Sequence, residues 1–193
     1  MRLPKPIPCL LALCLPLVCG SAPAPRGLTT GSAQGCTFEV SAQPRAGFPP
    51  TSDIVVTRVA SSTCPLGGGR VVVGNTYTNG PAFALSLAAQ DLGVAASYTS
   101  KSSPGGSAGL SLVVVHVDPA SLAVVRRVSL TALASPTAGR VYSGELTLSD
   151  PTTLRVSGTK DGTLPYETGS GSSYVATYPD FFTSTTAPSI SAY

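Results

Sequence analysis

The strongest constraint on the fold is residues 110–134, where two β-rich runs flank a turn. Val113, Val115 and Val117 alternate along the first run, so they share one face of a strand. Valine is stiff at χ1 and fits a pleated sheet better than a helix. The Asp-Pro pair at 118–119 ends the run, because proline has no N–H for a ladder and aspartate bonds turn backbone. The stretch therefore predicts a β-hairpin.

A similar pattern lies thirty residues earlier and indicates a second hairpin. The matching pairs are Phe83 and Val113, Leu85 and Val115, Leu87 and Val117, Asp91 and Ser121, Leu92 and Leu122, Val94 and Val124, and Tyr98 and Val128. Two interpretations stay open: a duplicated hairpin, similar to the strand pairs of propeller blades, or two ordinary hairpins with connections of similar length. A blade takes about 40–50 residues and a closed propeller needs about four or more blades, so this chain cannot close one alone.

The rest of the chain alternates short apolar runs with turn signals and shows no convincing helical period. This spacing predicts an all-β fold, an antiparallel sandwich or barrel-like domain of about 8–10 short strands. The valine runs at 71–73 and 113–115 argue against an outer-membrane barrel, because the lumen face of such a barrel is polar.

The first twenty residues are typical of a secretory signal peptide. Arg2 and Lys5 give a positive start, and the apolar run 9–18 is too short to span a bilayer. The Gly, Ser, Thr and Pro content of the flanking segments predicts flexibility. The expected organisation is a signal peptide at 1–20, a flexible linker at 21–35, a single β domain at 36–180 and a flexible tail at 181–193.

An alternative processing route concerns Cys19. The sequence around it is similar to a bacterial lipoprotein signal, in which the cysteine becomes the lipidated first residue. Val18 and Pro16 depart from that pattern. If the chain is attached to a membrane, we expect the attachment to be a lipid on Cys19.

Either route leaves two cysteines for the folded domain, Cys36 and Cys64. In an oxidising compartment an even pair predicts a disulfide. The expected location is therefore secreted or extracytoplasmic, in the periplasm or at the cell surface. No Cys-x-x-Cys motif is present, so the cysteines do not predict a zinc or redox site.

Charge gives little reason to expect a nucleic-acid partner. Charged residues are 11% of the chain, against about a quarter in ordinary soluble proteins. Without Arg2 and Lys5, ten basic residues face nine acidic ones, and no basic stripe is present. Binding to nucleic acid or to an anionic membrane surface is therefore not expected.

Residues that could perform catalysis are scarce. Ser107 lies in a G-x-S-x-G match at 105–109, but in a Gly/Ser-rich loop that leads into a valine strand instead of a helix. His116 is the single histidine, and it is expected to be a hydrogen-bonded strand residue on the face opposite Val115 and Val117. Five of the nine acids sit at turns or strand ends: Asp53, Asp91, Asp118, Asp150 and Asp161. We therefore predict no catalytic, cofactor-binding or metal-binding residues, and no enzyme.

Two features of the sequence suggest that the protein binds a ligand or a partner. Five tyrosines form a candidate binding surface, with capping of a sandwich core as the competing interpretation: Tyr77, Tyr98, Tyr142, Tyr174 and Tyr178. Consecutive valines place apolar side chains on both faces of a sheet, and we expect one domain without helices to lack the material to bury both faces. A protein partner or self-association is the expected source of that cover.

The leading hypothesis is a secreted or cell-envelope β domain that acts as a non-enzymatic structural or interaction subunit. The alternative is an extracellular carbohydrate-binding module. A small serine hydrolase that uses Ser107 is the third hypothesis.

Overall fold

The computed structural model describes residues 29–79, 84–104, 108–134 and 139–193, and these contain thirteen β-strands and no helix. The strands are β1 (Thr30–Ala33), β2 (Cys36–Arg45), β3 (Thr51–Arg58), β4 (Gly69–Tyr77), β5 (Leu85–Gln90), β6 (Gly93–Lys101), β7 (Leu110–Val117), β8 (Val124–Thr131), β9 (Arg140–Leu148), β10 (Leu154–Asp161), β11 (Glu167–Gly169), β12 (Ser173–Tyr178) and β13 (Ser189–Ala192). The predicted all-β sandwich is confirmed. The strand number exceeds the expectation because three short strands were not foreseen: β1, β11 and β13.

The part of the chain that the structure describes contains no helix long and apolar enough to span a membrane.

The strands form two hydrogen-bonded sheets that make three packed layers. Strands β1 to β4 form a four-stranded antiparallel sheet in chain order, the front sheet. The other nine strands form one sheet, but β7 and β9 are joined through a single bridge between Leu110 and Arg140. We therefore treat it as two parts: the central sheet, β5 to β8, and the back sheet, β9 to β13.

Strand β7 lies at the middle of the molecule, with both of its faces buried. Val113, Val115 and Val117 belong to the apolar cluster that the central sheet shares with the front sheet. Leu112 and Val114 belong to the cluster that it shares with the back sheet. The expectation that one domain lacks the material to cover both faces is wrong, because the chain supplies a sheet for each.

The hairpin of β7 and β8 is confirmed, and so is the earlier one of β5 and β6. Their connections differ: residues 91–92 join the first pair and residues 118–123 join the second. Leu87 is therefore in mid-strand, opposite Ala96, whereas Val117 is the last residue of β7, opposite Val124. Since β6 also pairs with β7, the four strands form one antiparallel meander in which the thirty-residue spacing does not carry over to the pairing register.

The flexible linker and tail need correction within the described residues. Thr30 to Ala33 of the expected linker pair with β2, and Gly31 packs so closely on β5 that a Cβ there would lie 2.8 Å from Leu87 Cδ2. In the expected tail, Phe181 and Ile190 are buried, and residues 189–192 form β13. Composition predicted flexibility, but apolar residues spaced through each segment reach buried positions.

The Cys36–Cys64 disulfide is confirmed and joins the first residue of β2 to the loop before β4. The predicted signal peptide and Cys19 lie outside the described residues.

Candidate functional site

The predicted tyrosine surface does not form. Tyr98 lies between the front and central sheets, and Tyr174 and Tyr178 are fully buried in the cluster between the central and back sheets. Burial raises the pKa of both Tyr174 and Tyr178 well above its usual value. Tyr77 and Tyr142 are half-buried, one on the front sheet and the other on the back sheet. Three of the five tyrosines are therefore part of the apolar core.

Two of the acidic residues at turns, Asp118 and Asp150, bond the local backbone. The Asp118 carboxylate accepts hydrogen bonds of 2.7 Å from the N–H and from the hydroxyl of Ser121. At the β9–β10 turn, hydrogen bonds from the Thr152 N–H and from Thr153 lower the pKa of Asp150 to about 2. Glu167, which is not one of the turn acids, forms a buried ion pair with Lys160 at 3.1 Å. These contacts stabilise turns and the edge of the back sheet.

Ser107 lies outside the described residues, so the G-x-S-x-G match stays a prediction about sequence alone. Nowhere in the described ranges do three or more His, Cys, Asp or Glu side chains lie close enough to hold a metal ion.

His116 lies where the central sheet meets the chain that follows β12. It is 4% exposed, and it faces away from Val115 and Val117, as predicted. Its ring packs edge-on against Phe182 with centroids 5.1 Å apart, and it lies 6.1 Å from the ring of Phe181. Nε2 has no partner of normal geometry. Aromatic packing surrounds the ring, and the backbone of Leu92 is its nearest polar partner.

Arg126 joins this group from the next strand, directly opposite His116 in the β7–β8 register. Its guanidinium lies 5.1 Å from the centre of the Phe181 ring and donates hydrogen bonds to the carbonyl oxygens of Phe181, Ser184 and Thr186. Residues 180–186, which we call the clasp, are therefore fastened to β7 and β8 by one imidazole and one guanidinium. A cavity of about 150 Å³ lies among His116, Arg126 and the clasp.

Burial lowers the pKa of His116 below its usual value. The backbone of Leu92 and the Asp118 carboxylate oppose this change, and the Arg126 guanidinium adds to it. The net effect favours the neutral imidazole, which fits its aromatic surroundings.

The two edges of the central sheet differ. The edge at β5 is covered, because Gly31 of β1 packs against Leu87 and Ala89, and the Ser86 hydroxyl accepts a 3.0 Å hydrogen bond from Leu146 N–H of β9. At the other edge, β8 pairs with β7 on one side, and no described strand pairs with its other side.

Most residues of β8 are exposed, including Val124 and Val125 at 39% and 58%. Both arginines of the strand turn to the faces of the sheet. Arg126 bonds the clasp, and Arg127 donates a 2.6 Å hydrogen bond to the Val73 carbonyl of the front sheet. Neither arginine is therefore placed to block pairing of another strand with the free edge of β8, and the strand contains no proline, which would also block it.

Comparisons with protein-family models, with curated proteins and with solved structures found no match. The possible roles of the β8 edge and of the His116 group are therefore inferred from their geometry alone.

Part of this arrangement could be seen in the sequence. Arg126 shares the parity of the inward residues of its strand, a signal that β8 is an edge. Phe181 and Phe182 were missed, because they follow the last strong strand signal and stand beside a Ser/Thr-rich stretch.

Proposed function

We propose that this protein is a secreted or cell-envelope β domain, a non-enzymatic interaction subunit whose partner adds an extended strand to β8. The observation that carries the proposal is the open edge of β8, eight residues long, in a central sheet that is otherwise covered. An open edge offers a row of N–H and C=O groups that pair readily with another strand.

The side chains of β8 fit that role. Val124 and Val125 give a partner strand apolar contacts in addition to main-chain hydrogen bonds. The disulfide is consistent with an extracytoplasmic location, and the predicted signal peptide supports secretion. The partner is thus expected in the same compartment, either as another protein or as a second copy of this chain.

A carbohydrate-binding function is the second candidate, supported by Tyr166. Its ring is 96% exposed, and its φ of 60° places the residue in the left-handed region. An exposed aromatic ring held on a fixed turn can stack on a sugar.

Site-specific crosslinking tests strand addition. A photoreactive residue is placed at Val125, and a matched one at Arg155, an exposed position of β10, which pairs with a strand on each side. We expect crosslinks from position 125 to one extended segment, of an envelope protein or of a second copy, and none from position 155. Sedimentation of the purified chain identifies self-association.

Other results would contradict the proposal. No crosslink at either position, together with a monomer, would remove strand addition. Sugar binding on a glycan array that is lost in Tyr166→Ala would favour the second candidate. Hydrolase activity that is lost in Ser107→Ala would overturn the non-enzymatic function.

A further inference from the structure

The buried polar atoms without a partner point to one region of the molecule. Within the described residues they are Gln90 Nε2, His116 Nε2 and Tyr178 Oη. His116 and Tyr178 both contact the ring of Phe181. Gln90 immediately precedes the 91–92 turn, after which Gly93 packs so tightly that a Cβ there would lie 2.5 Å from His116 Nε2. Unsatisfied buried groups are uncommon and mark places where stability is locally reduced.

We propose that the clasp, residues 180–186, is an acid-sensitive device that is closed while His116 is neutral and opens when His116 is protonated. The proposal concerns the face of the sheet that carries the clasp and does not depend on a partner at the β8 edge.

Protonation would place a charge where the clasp cannot stabilise it. The imidazole packs on two phenylalanine rings and is 4% exposed, so an added charge would lose most of its hydration. Arg126, already positive, stands directly opposite on β8. Opening of the clasp returns water to the imidazole and separates the Arg126 guanidinium from the three carbonyls that it binds.

The carboxylates around His116 do not replace that hydration. Asp118 lies beyond the end of β7 and is held by Ser121, and its carboxylate opposes the effect of burial without exceeding it. Asp91, in the β5–β6 turn, accepts a hydrogen bond from the N–H of Gln34. Asp180, on the clasp, is exposed. None of the three forms an ion pair with His116 in the described part of the chain.

The direction of the pH effect follows from the neutral imidazole of the closed state. A histidine with a lowered folded-state pKa stabilises the closed clasp fully above its ordinary pKa of about 6.5. That contribution is lost as the pH falls below about 6.5, down to the lowered value. Each unit of lowering corresponds to about a tenfold shift of the equilibrium toward the open clasp.

Hydrogen exchange at pH 7.5 and pH 5.0, corrected for the intrinsic rate, tests the device on the purified chain. We expect peptides that cover 180–186 to lose about tenfold or more of their protection at pH 5.0. Peptides from β3, in the front sheet, serve as the internal reference and should keep theirs. In His116→Gln, which has no titrating imidazole, the clasp should be equally protected at both pH values.

Nuclear magnetic resonance gives a second readout that needs no variant. The chain has one histidine, so the imidazole signal reports one titration curve. We expect its midpoint below about 6.5, with the amide signals of 180–186 changing at the same midpoint. An imidazole that titrates while the clasp signals stay unchanged would overturn the proposal. So would equal loss of clasp protection in His116→Gln and in the unmodified chain.

Discussion

The guanidinium of Arg58 joins the front sheet to the turn of the β7–β8 hairpin. It is 7% exposed and donates hydrogen bonds to the carbonyl oxygens of Leu66, Gly67, Pro119 and Ala120, at 2.7 to 3.0 Å. Four carbonyls share one cation, so a single side chain satisfies two loops that no strand pairing connects.

Arg58→Met is expected to lower the free energy of unfolding by about 2–4 kcal/mol, because the carbonyls lose their donor while the apolar stem is kept. Arg155→Met, at an exposed position of β10, is the matched control and should change it by less than about 0.5 kcal/mol. Urea denaturation measures both. Equal effects of the two substitutions would show that the carbonyls find other donors.

Single residues were predicted best where their effect is local. Asp118 and Asp150 at turns follow from the habit of aspartate to bond nearby backbone, and the structure shows those bonds. The bonds from Arg58 to Pro119 and Ala120, and those from Arg126 to the clasp, span 55 to 62 residues, so no local pattern could reveal them.

At the scale of the element, strand β7 has two buried faces of equal importance. Val114 packs toward the back sheet and Val115 toward the front sheet, and both are fully buried. Val114→Ala and Val115→Ala should each cost about 2–3 kcal/mol of stability, from lost burial and a residual cavity. Val125→Ala, at the open edge, should cost less than about 0.5 kcal/mol. A small effect at either buried valine, by urea denaturation, would contradict the three-layer packing.

The sequence predicted β7 because a run of valines favours a strand, whichever other elements pack against it. They did not find β13, where two buried residues, Ile190 and Ala192, alternate with serines. Four residues are too few for a periodic pattern, and pairing with β11 and β12 decides the structure there.

At the scale of the whole molecule, the disulfide stabilises the folded state because it restricts the conformations of the unfolded chain. Its sequence separation of 28 predicts about 3–4 kcal/mol on the chain-entropy model. The double variant Cys36→Ser, Cys64→Ser should lose that amount in urea denaturation, and the unmodified chain should lose a similar amount when reduced. A midpoint that reductant does not change would contradict this estimate.

The arrangement of the layers could not be predicted from the sequence. Valines on both faces of β7 showed that cover was needed, but local patterns do not tell which later segment supplies it. The front sheet comes from before the central meander and the back sheet from after it, so the answer depends on packing between distant parts of the chain.

This order has a consequence during translation. The ribosome synthesises the residues of the front and central sheets before it reaches residue 140. The nascent chain then contains Ala95, Leu112 and Val114, but the back sheet that buries them has not yet been synthesised. A growing chain with such an apolar face needs a chaperone, or must stay unfolded until the residues of β9 to β13 emerge. Export in an unfolded state would meet that requirement, because folding would then start with the whole chain present.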